Sequence, residues 1–198
     1  ILSLLLLGLV VLIGALAIFL FVQFTTRPSA AHFKLNDNLQ IIDPVPLDQE
    51  GISKAQLLNW IGNMVIDAFS YNYSNQYKQT SKLAEYFSDA AMKMYLDYLQ
   101  TDEDFLAVGP NKLVVSVHMT SAPEIVTSKE YKGRYAWQIR APMQIRFSNA
   151  LNRGGQDIEM DFLVLRVPET ESPLGVTVAS FTTKLIGRSP MLGIKKGF

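Results

Sequence analysis

The chain has no cysteine, only two histidines, and no charged side chain before Arg27. The missing thiols exclude a disulfide scaffold, a cysteine nucleophile and a thiolate metal centre, while leaving the compartment open. His32 and His118 have no ligand spacing between them, so a histidine-based metal site is not expected either. Lys and Arg number 18, as do Asp and Glu, giving a formal net charge of zero and no bulk attraction to nucleic acid. Acid is wholly lacking from Ser172 to Phe198, a stretch that carries Lys184, Arg188, Lys195 and Lys196. A solvated basic terminus is the favoured reading there, with lipid headgroups or an acidic partner as the alternative. Nucleophile-elbow, zincin, P-loop and dinucleotide-glycine patterns are absent as well.

What is present first is grease. Ile1 to Phe24 holds only two polar side chains, Ser3 and Gln23. At about 1.5 Å per residue, a helix of that length crosses a hydrocarbon core of about 30 Å with slack for tilt. A secretory signal is the rival, and Ser29-Ala30-Ala31 resembles a cleavage site, but the apolar run exceeds the usual signal core of about 7–15 residues. A membrane span ending at Ile1 and Phe24 is therefore expected, with a further segment before it carrying the other flank. Thr25 to Gly51 offers Arg27 and Lys34 against Asp37, Asp43, Asp48 and Glu50, a flank too weakly basic for the cytoplasmic side. The rest of the chain is then outside, periplasmic in a bacterium. Gly8 and Gly14 are not spaced as a helix-dimer motif.

Residues 25–51, with Pro28, Pro44 and Pro46, read as a stiffened linker. Residues 52–188 read as one α+β domain, and 189–198 as a tail. Ser53 through Gln56 form a capping box, and Ile52 and Leu57 a hydrophobic staple. The stripe Leu57, Ile61, Met64, Val65, Ala68 continues that helix. Two more helices are expected. One covers Leu83 to Phe87; the other is capped by Ser88 and buries Met92, Tyr95, Leu96 and Leu99, and Asp102-Glu103-Asp104 and then Gly109-Pro110 end the helical part.

From Lys112 the period changes to two. Leu113, Val115, Val117 and Met119 alternate with Ser116, His118 and Thr120. Tyr135 to Phe147 alternates more cleanly still, its wet face carrying Gln138, Arg140, Gln144 and Arg146. Pro142 within that run implies a bulge or an edge. Asn152-Arg153-Gly154-Gly155 supplies a turn into a strand from Asp157 to Val167, followed by one from Val176 to Ile186. Glu124 to Glu130 forms a short strand. The prediction is about three helices packed on a curved antiparallel sheet of about four strands in a meander.

An even-numbered turn puts Arg140 and Arg146 on the face that holds Asp157, Glu159 and Asp161. A cross-strand charge cluster is expected, with Arg146 beside Glu159 or Asp161. The rival reading of the three acids, a cation site, fails on spacing. Alternate strand positions lie about 6.5–7 Å apart, too far to wrap one ion. His118 is an ordinary strand residue rather than a general base. The aromatics fall at core periods, as packing rather than a stacking platform for bases. Trp60 is expected at the sheet's edge.

Taken in order, these features resemble the DotI/IcmL family of type IVB secretion systems. The resemblance rests on one N-terminal span, a proline-containing linker and a Trp60 helix leading to Phe69-Ser70-Tyr71-Asn72-Tyr73. It continues through Tyr86-Phe87-Ser88-Asp89 and Gly133-Arg134-Tyr135-Ala136-Trp137-Gln138-Ile139-Arg140-Ala141-Pro142. It implies a cone-shaped periplasmic domain of the nuclear-transport-factor-two class, shared with the bitopic scaffold subunit of type IVA systems. It further implies a non-enzymatic, oligomeric subunit of an inner-membrane complex, without cofactor or metal, beside partners such as a DotJ/IcmM-like protein. A membrane-anchored enzyme or a lipid or solute carrier on the same cone fold is the competing reading, because fold does not fix function.

Overall fold

The computed structural model describes residues 45–190, together with Gly14 and the residue pairs 34–35 and 41–42. The expected span from Ile1 to Phe24 lies outside the described residues apart from Gly14, as do His32, Lys195 and Lys196. Among the described residues no helix is long and apolar enough to cross a membrane. The chain divides into two compact units, Ile1–Pro44 and Val45–Phe198. In the first, β1 (Lys34–Leu35) pairs antiparallel with β2 (Ile41–Ile42), inside the stretch read as linker. The last part of that stretch, 45–51, lies within the second unit.

In the second unit α1 (Lys54–Phe69) starts at the capping box: the Gln56 N–H donates to Ser53 Oγ at 3.3 Å, and the Ser53 N–H donates to Gln56 Oε1 at 3.4 Å. Its apolar stripe is buried, and Trp60 joins it with its ring 5.6 Å from that of Tyr86. A short β3 (Tyr71–Asn72) follows, then α2 (Gln76–Lys82). This helix buries no residue, so it has no apolar period and gave no signal in the sequence. The helix expected over Leu83–Phe87 is instead a single 3₁₀ turn, Leu83–Glu85.

Ser88 caps α3 (Asp89–Thr101) as expected, accepting from the Ala91 N–H. Its buried face is Ala91, Tyr95 and Leu99; Leu96, expected inside, is exposed, and Met92 is half-buried. Past Asp102 the helical part runs one turn further and stops short of Gly109-Pro110. Asp102 Oδ1 accepts from the N–H groups of Asp104 and Phe105 and starts that turn, α4 (Glu103–Leu106).

Five longer strands follow: β4 (Val114–Met119), β5 (Glu124–Tyr131), β6 (Arg134–Ser148), β7 (Arg153–Arg166) and β8 (Val176–Ser189). With β3 they make a six-stranded antiparallel sheet in the order β3-β4-β6-β7-β8, with β5 also on β6. The sheet is larger than the four strands expected, and its start is not a simple meander. β4 and β5 share one side of β6, pairing with 143–148 and 134–140 respectively. Pro142 falls where they meet. Its carbonyl accepts from the Thr120 N–H on that side, so its missing donor faces the junction between two strands. Pro142 therefore marks neither bulge nor edge in β6, whose pairing with β7 runs through it in unbroken register.

The β6–β7 turn also differs from the sequence reading. Asn149 closes it, its Oδ1 accepting from the N–H groups of Leu151 and Asn152, and Arg153-Gly154-Gly155 already belong to β7. Gly155 serves close approach rather than the turn: a Cβ there would lie 2.7 Å from the Ile145 carbonyl oxygen.

The inner faces of α1, α3 and the sheet enclose one core, in which Phe69, Tyr95, Phe105, Trp137, Phe147 and Phe162 are buried. The first half of β8 is covered on its outer side by a parallel bridge, Phe87 to Val178. Among the described residues nothing pairs with the outer side of Thr182–Ser189, where Leu185 and Ile186 are 53% and 59% exposed.

Candidate interaction surface

The outer faces of β6 and β7 carry the expected charges, and register decides who meets whom. Across the ladder Arg140 stands opposite Asp161, Pro142 opposite Glu159, Gln144 opposite Asp157, and Arg146 opposite Gly155. Arg140 forms a two-pronged pair with Asp161, 2.9 Å from Nε to Oδ1 and 3.2 Å from Nη2 to Oδ2. Its Nε is also 3.6 Å from Glu159 Oε1. The hydrogen bond to Asp161, then the charges of Asp161 and Glu159, raise the Arg140 pKa above its ordinary value.

Arg146 is not beside Glu159 or Asp161. Because the turn is made by Asn149–Asn152, its rung partner is Gly155, and its Nε donates to Gln144 Oε1 at 2.7 Å. Gln144 Nε2 in turn donates to Asp157 Oδ1 at 2.7 Å. The result is two adjoining groups, Arg140 with two carboxylates and Arg146–Gln144–Asp157.

A second polar knot was not read from the sequence. Gln156, 1% exposed, donates through Nε2 to Asp102 and to Asp104, and Arg188 reaches the same two carboxylates at 3.4 and 3.1 Å. The Asp-Glu-Asp run was visible, but nothing in its spacing pointed to β7 or β8. Arg188 thus belongs to the folded sheet rather than to a solvated tail. Lys184, on β8, sits opposite Glu159. His118 is exposed on β4, opposite Gln144. Among the described residues no three His, Asp or Glu side chains are grouped to hold a metal ion.

The helical side presents tyrosines and a shallow groove. Burial above all raises the pKa of Tyr71, Tyr95 and Tyr98. Tyr86 is pushed up to about 12, first by burial and then by its hydrogen bond to Asp67. These phenols stay protonated near neutrality; Tyr95 donates to the Ala68 carbonyl at 2.6 Å and Tyr86 to Asp67 at 2.9 Å, while the buried Tyr71 hydroxyl has no partner among the described residues. Between α2, α3 and α4 lies a groove of about 270 Å³ whose lining includes Gln76, Thr80, Leu96, Leu99, Phe105 and Leu106, with no charged residue. Leu96, expected in the core, forms part of this wall.

Residues 5–185 match the model of the DotI/IcmL family, described as an inner-membrane complex component of the type-IV b secretion system. The chain belongs to the DotI/IcmL family. Its fold is similar to the periplasmic domain of DotI, with 28% identity and a TM-score of 0.64 over 67% of this chain and 96% of that one. A periplasmic fragment of TraM is similar at 18% identity and a TM-score of 0.63, over 67% and 98%. An IcmL-like type IV secretion system protein from Legionella pneumophila is similar at 22% identity and a TM-score of 0.61, over 69% and 96%. The last two speak for the fold alone. No curated protein matches the chain. The second compact unit is thus an α+β domain similar to the nuclear-transport-factor-two-like periplasmic domains of DotI/IcmL proteins.

Proposed function

We propose that the chain is a non-enzymatic structural subunit of the inner-membrane complex of a bacterial type IVB secretion or conjugation system, supporting assembly of the translocation apparatus. The observation that carries this reading is the family match across residues 5–185, which takes in most of the apolar run as well as the domain. In this reading Ile1–Phe24 crosses the inner membrane once and the C-terminal domain stands in the periplasm. Residues between the span and Val45 set its distance from the bilayer. Tethering raises the effective concentration of neighbouring domains, so modest contacts suffice for assembly. The partners are other subunits of the complex, a DotJ/IcmM-like protein among them, or further copies of the chain.

Purification of the tagged chain from its host in mild detergent tests the proposal. Recovery with other envelope subunits as a stable multimer is the expected result. Recovery alone as a monomer would contradict it, more so if the preparation turns over a substrate. His118→Ala should leave secretion intact, whereas a loss of secretion with a normally folded variant would reopen the enzyme reading.

A further inference from the structure

Gly51, the last residue of the segment 45–51, lies against Arg166, the one buried arginine among the described residues. Arg166, at the end of β7, is 4% exposed. Its Nη1 donates to the Gly175 carbonyl at 3.0 Å, and its buried Nε meets no acceptor. Among the described residues it has no ion pair. A cation so placed is costly to bury, because a single carbonyl repays little of its lost hydration. The guanidinium is flanked by two glycines at positive φ. A Cβ on Gly51 (φ 58°) or on Gly175 (φ 63°) would each come within 2.5 Å of it.

The segment that covers Arg166 is lightly held. Among the described residues, two hydrogen bonds tie 45–51 to the sheet, and both go to Tyr135. The Tyr135 N–H donates to the Leu47 carbonyl at 2.6 Å, and the Tyr135 hydroxyl donates to Glu50 at 3.0 Å. The β6–β7 pairing ends at Ala136 and Leu165. One more step of the same register would set Tyr135 opposite Arg166. Leu47 therefore occupies the rung that Arg166 would otherwise take.

We propose that residues 45–51 are a releasable strap with two states. With the strap on, Tyr135 bonds Leu47 and Arg166 is sealed beneath Gly51. With the strap off, the β6–β7 ladder gains its last rung, Tyr135 to Arg166, and the guanidinium reaches water. Each state keeps the Tyr135 N–H bonded and each carries one penalty, a buried cation or an unanchored segment, so the two are close in free energy. The strap follows directly on the stretch leading from the apolar run. A pull along that stretch would thus change the end of the sheet; this last point alone rests on the proposed membrane tether.

Hydrogen exchange at single-residue resolution on the full chain in detergent tests the switch without any partner present. Gly51→Ala places a methyl group against the guanidinium and should release the strap, giving about ten-fold faster exchange at Gln49, whose N–H bonds the Pro46 carbonyl within the strap, while Tyr135 and β6–β8 keep their protection. Arg166→Met removes the buried cation and should slow exchange at the same Gln49 amide. Unchanged exchange in Gly51→Ala, or loss of protection throughout the domain or at the Tyr135 amide, would overturn the proposal. So would an Arg166→Met variant whose strap opens further. None of these readouts depends on co-purification with other subunits, so the strap and the scaffold can fail separately.

Discussion

Along β6 the side chains of Trp137, Ile139, Ala141, Met143, Ile145 and Phe147 are removed from water, while Gln138, Arg140, Gln144 and Arg146, each one residue away, reach it. The inner set is held by volume: Phe147 lies edge-on to Phe105 with ring centres 5.1 Å apart, and the aromatic chain continues through Phe69 and Tyr95. The outer set is held by pairing, and its pairs depend on which rung each residue occupies. A non-directional attraction needs only the right face. A charged hydrogen bond needs the right neighbour as well, and one shifted turn is enough to send Arg146 to Gln144 instead of Glu159.

The contrast can be broken from either side. Alkali should break the inner, tyrosine-rich side most completely. The pKa values of Tyr71, Tyr86, Tyr95 and Tyr98 are raised in the folded protein, burial being the main cause. Below the ordinary tyrosine pKa of 10.0 their contribution to stability is fully present. As pH climbs from there through the folded value of about 12 for Tyr86, the unfolded chain sheds protons first and that contribution is lost. Circular dichroism should report cooperative unfolding in this range together with the last rise of tyrosinate absorbance. Tyr73, Tyr77 and Tyr131 are exposed and add their own signal, so absorbance from all eight tyrosines with the fold intact is what would show that the four phenols are not shielded. Phe147→Ala comes next, at about 3–5 kcal/mol by urea denaturation.

Gly155→Ala joins the two faces, because it tests the register itself. The added methyl group meets the Ile145 carbonyl of the neighbouring strand, and a loss of about 1–3 kcal/mol is expected. A neutral result would mean that the rungs are not those described. Arg140→Gln is the smallest: the melting temperature should move by no more than about 2 °C, since exposed pairs contribute little. A larger drop would show that the outer network holds the sheet as firmly as the core does.

What the sequence disclosed follows the same division. The alternation of β6 told which residues face in, and the Ser53 capping box located the first residue of α1 to the position. Both are local signals. The turn was misplaced because Gly154-Gly155 looks like turn chemistry, while the residue that closes the loop is Asn149, whose side chain serves two backbone donors. α2 was missed because it buries nothing, and α4 because Asp102, placed at the end of a helix, also caps the next. Of the polar sites, the Arg140 face was legible from charge spacing. The knot of Asp102, Asp104, Gln156 and Arg188 was not, since it joins residues far apart in the chain through contacts that no local period encodes. Nor could Arg166 be distinguished from any other arginine until the glycines around it were placed.

The half of β8 that no described residue covers carries a practical cost for anyone handling the domain. A row of bare amide groups beside Leu185 and Ile186 is a template on which other chains can stack, and concentrated stocks should cloud or gel more readily than the neutral, well-packed core would suggest. The kink in pairing between Asp157 and Ile158 and the ammonium of Lys184 blunt that rim. Lys184→Val should therefore shorten the shelf life of the purified protein well before it alters the melting curve.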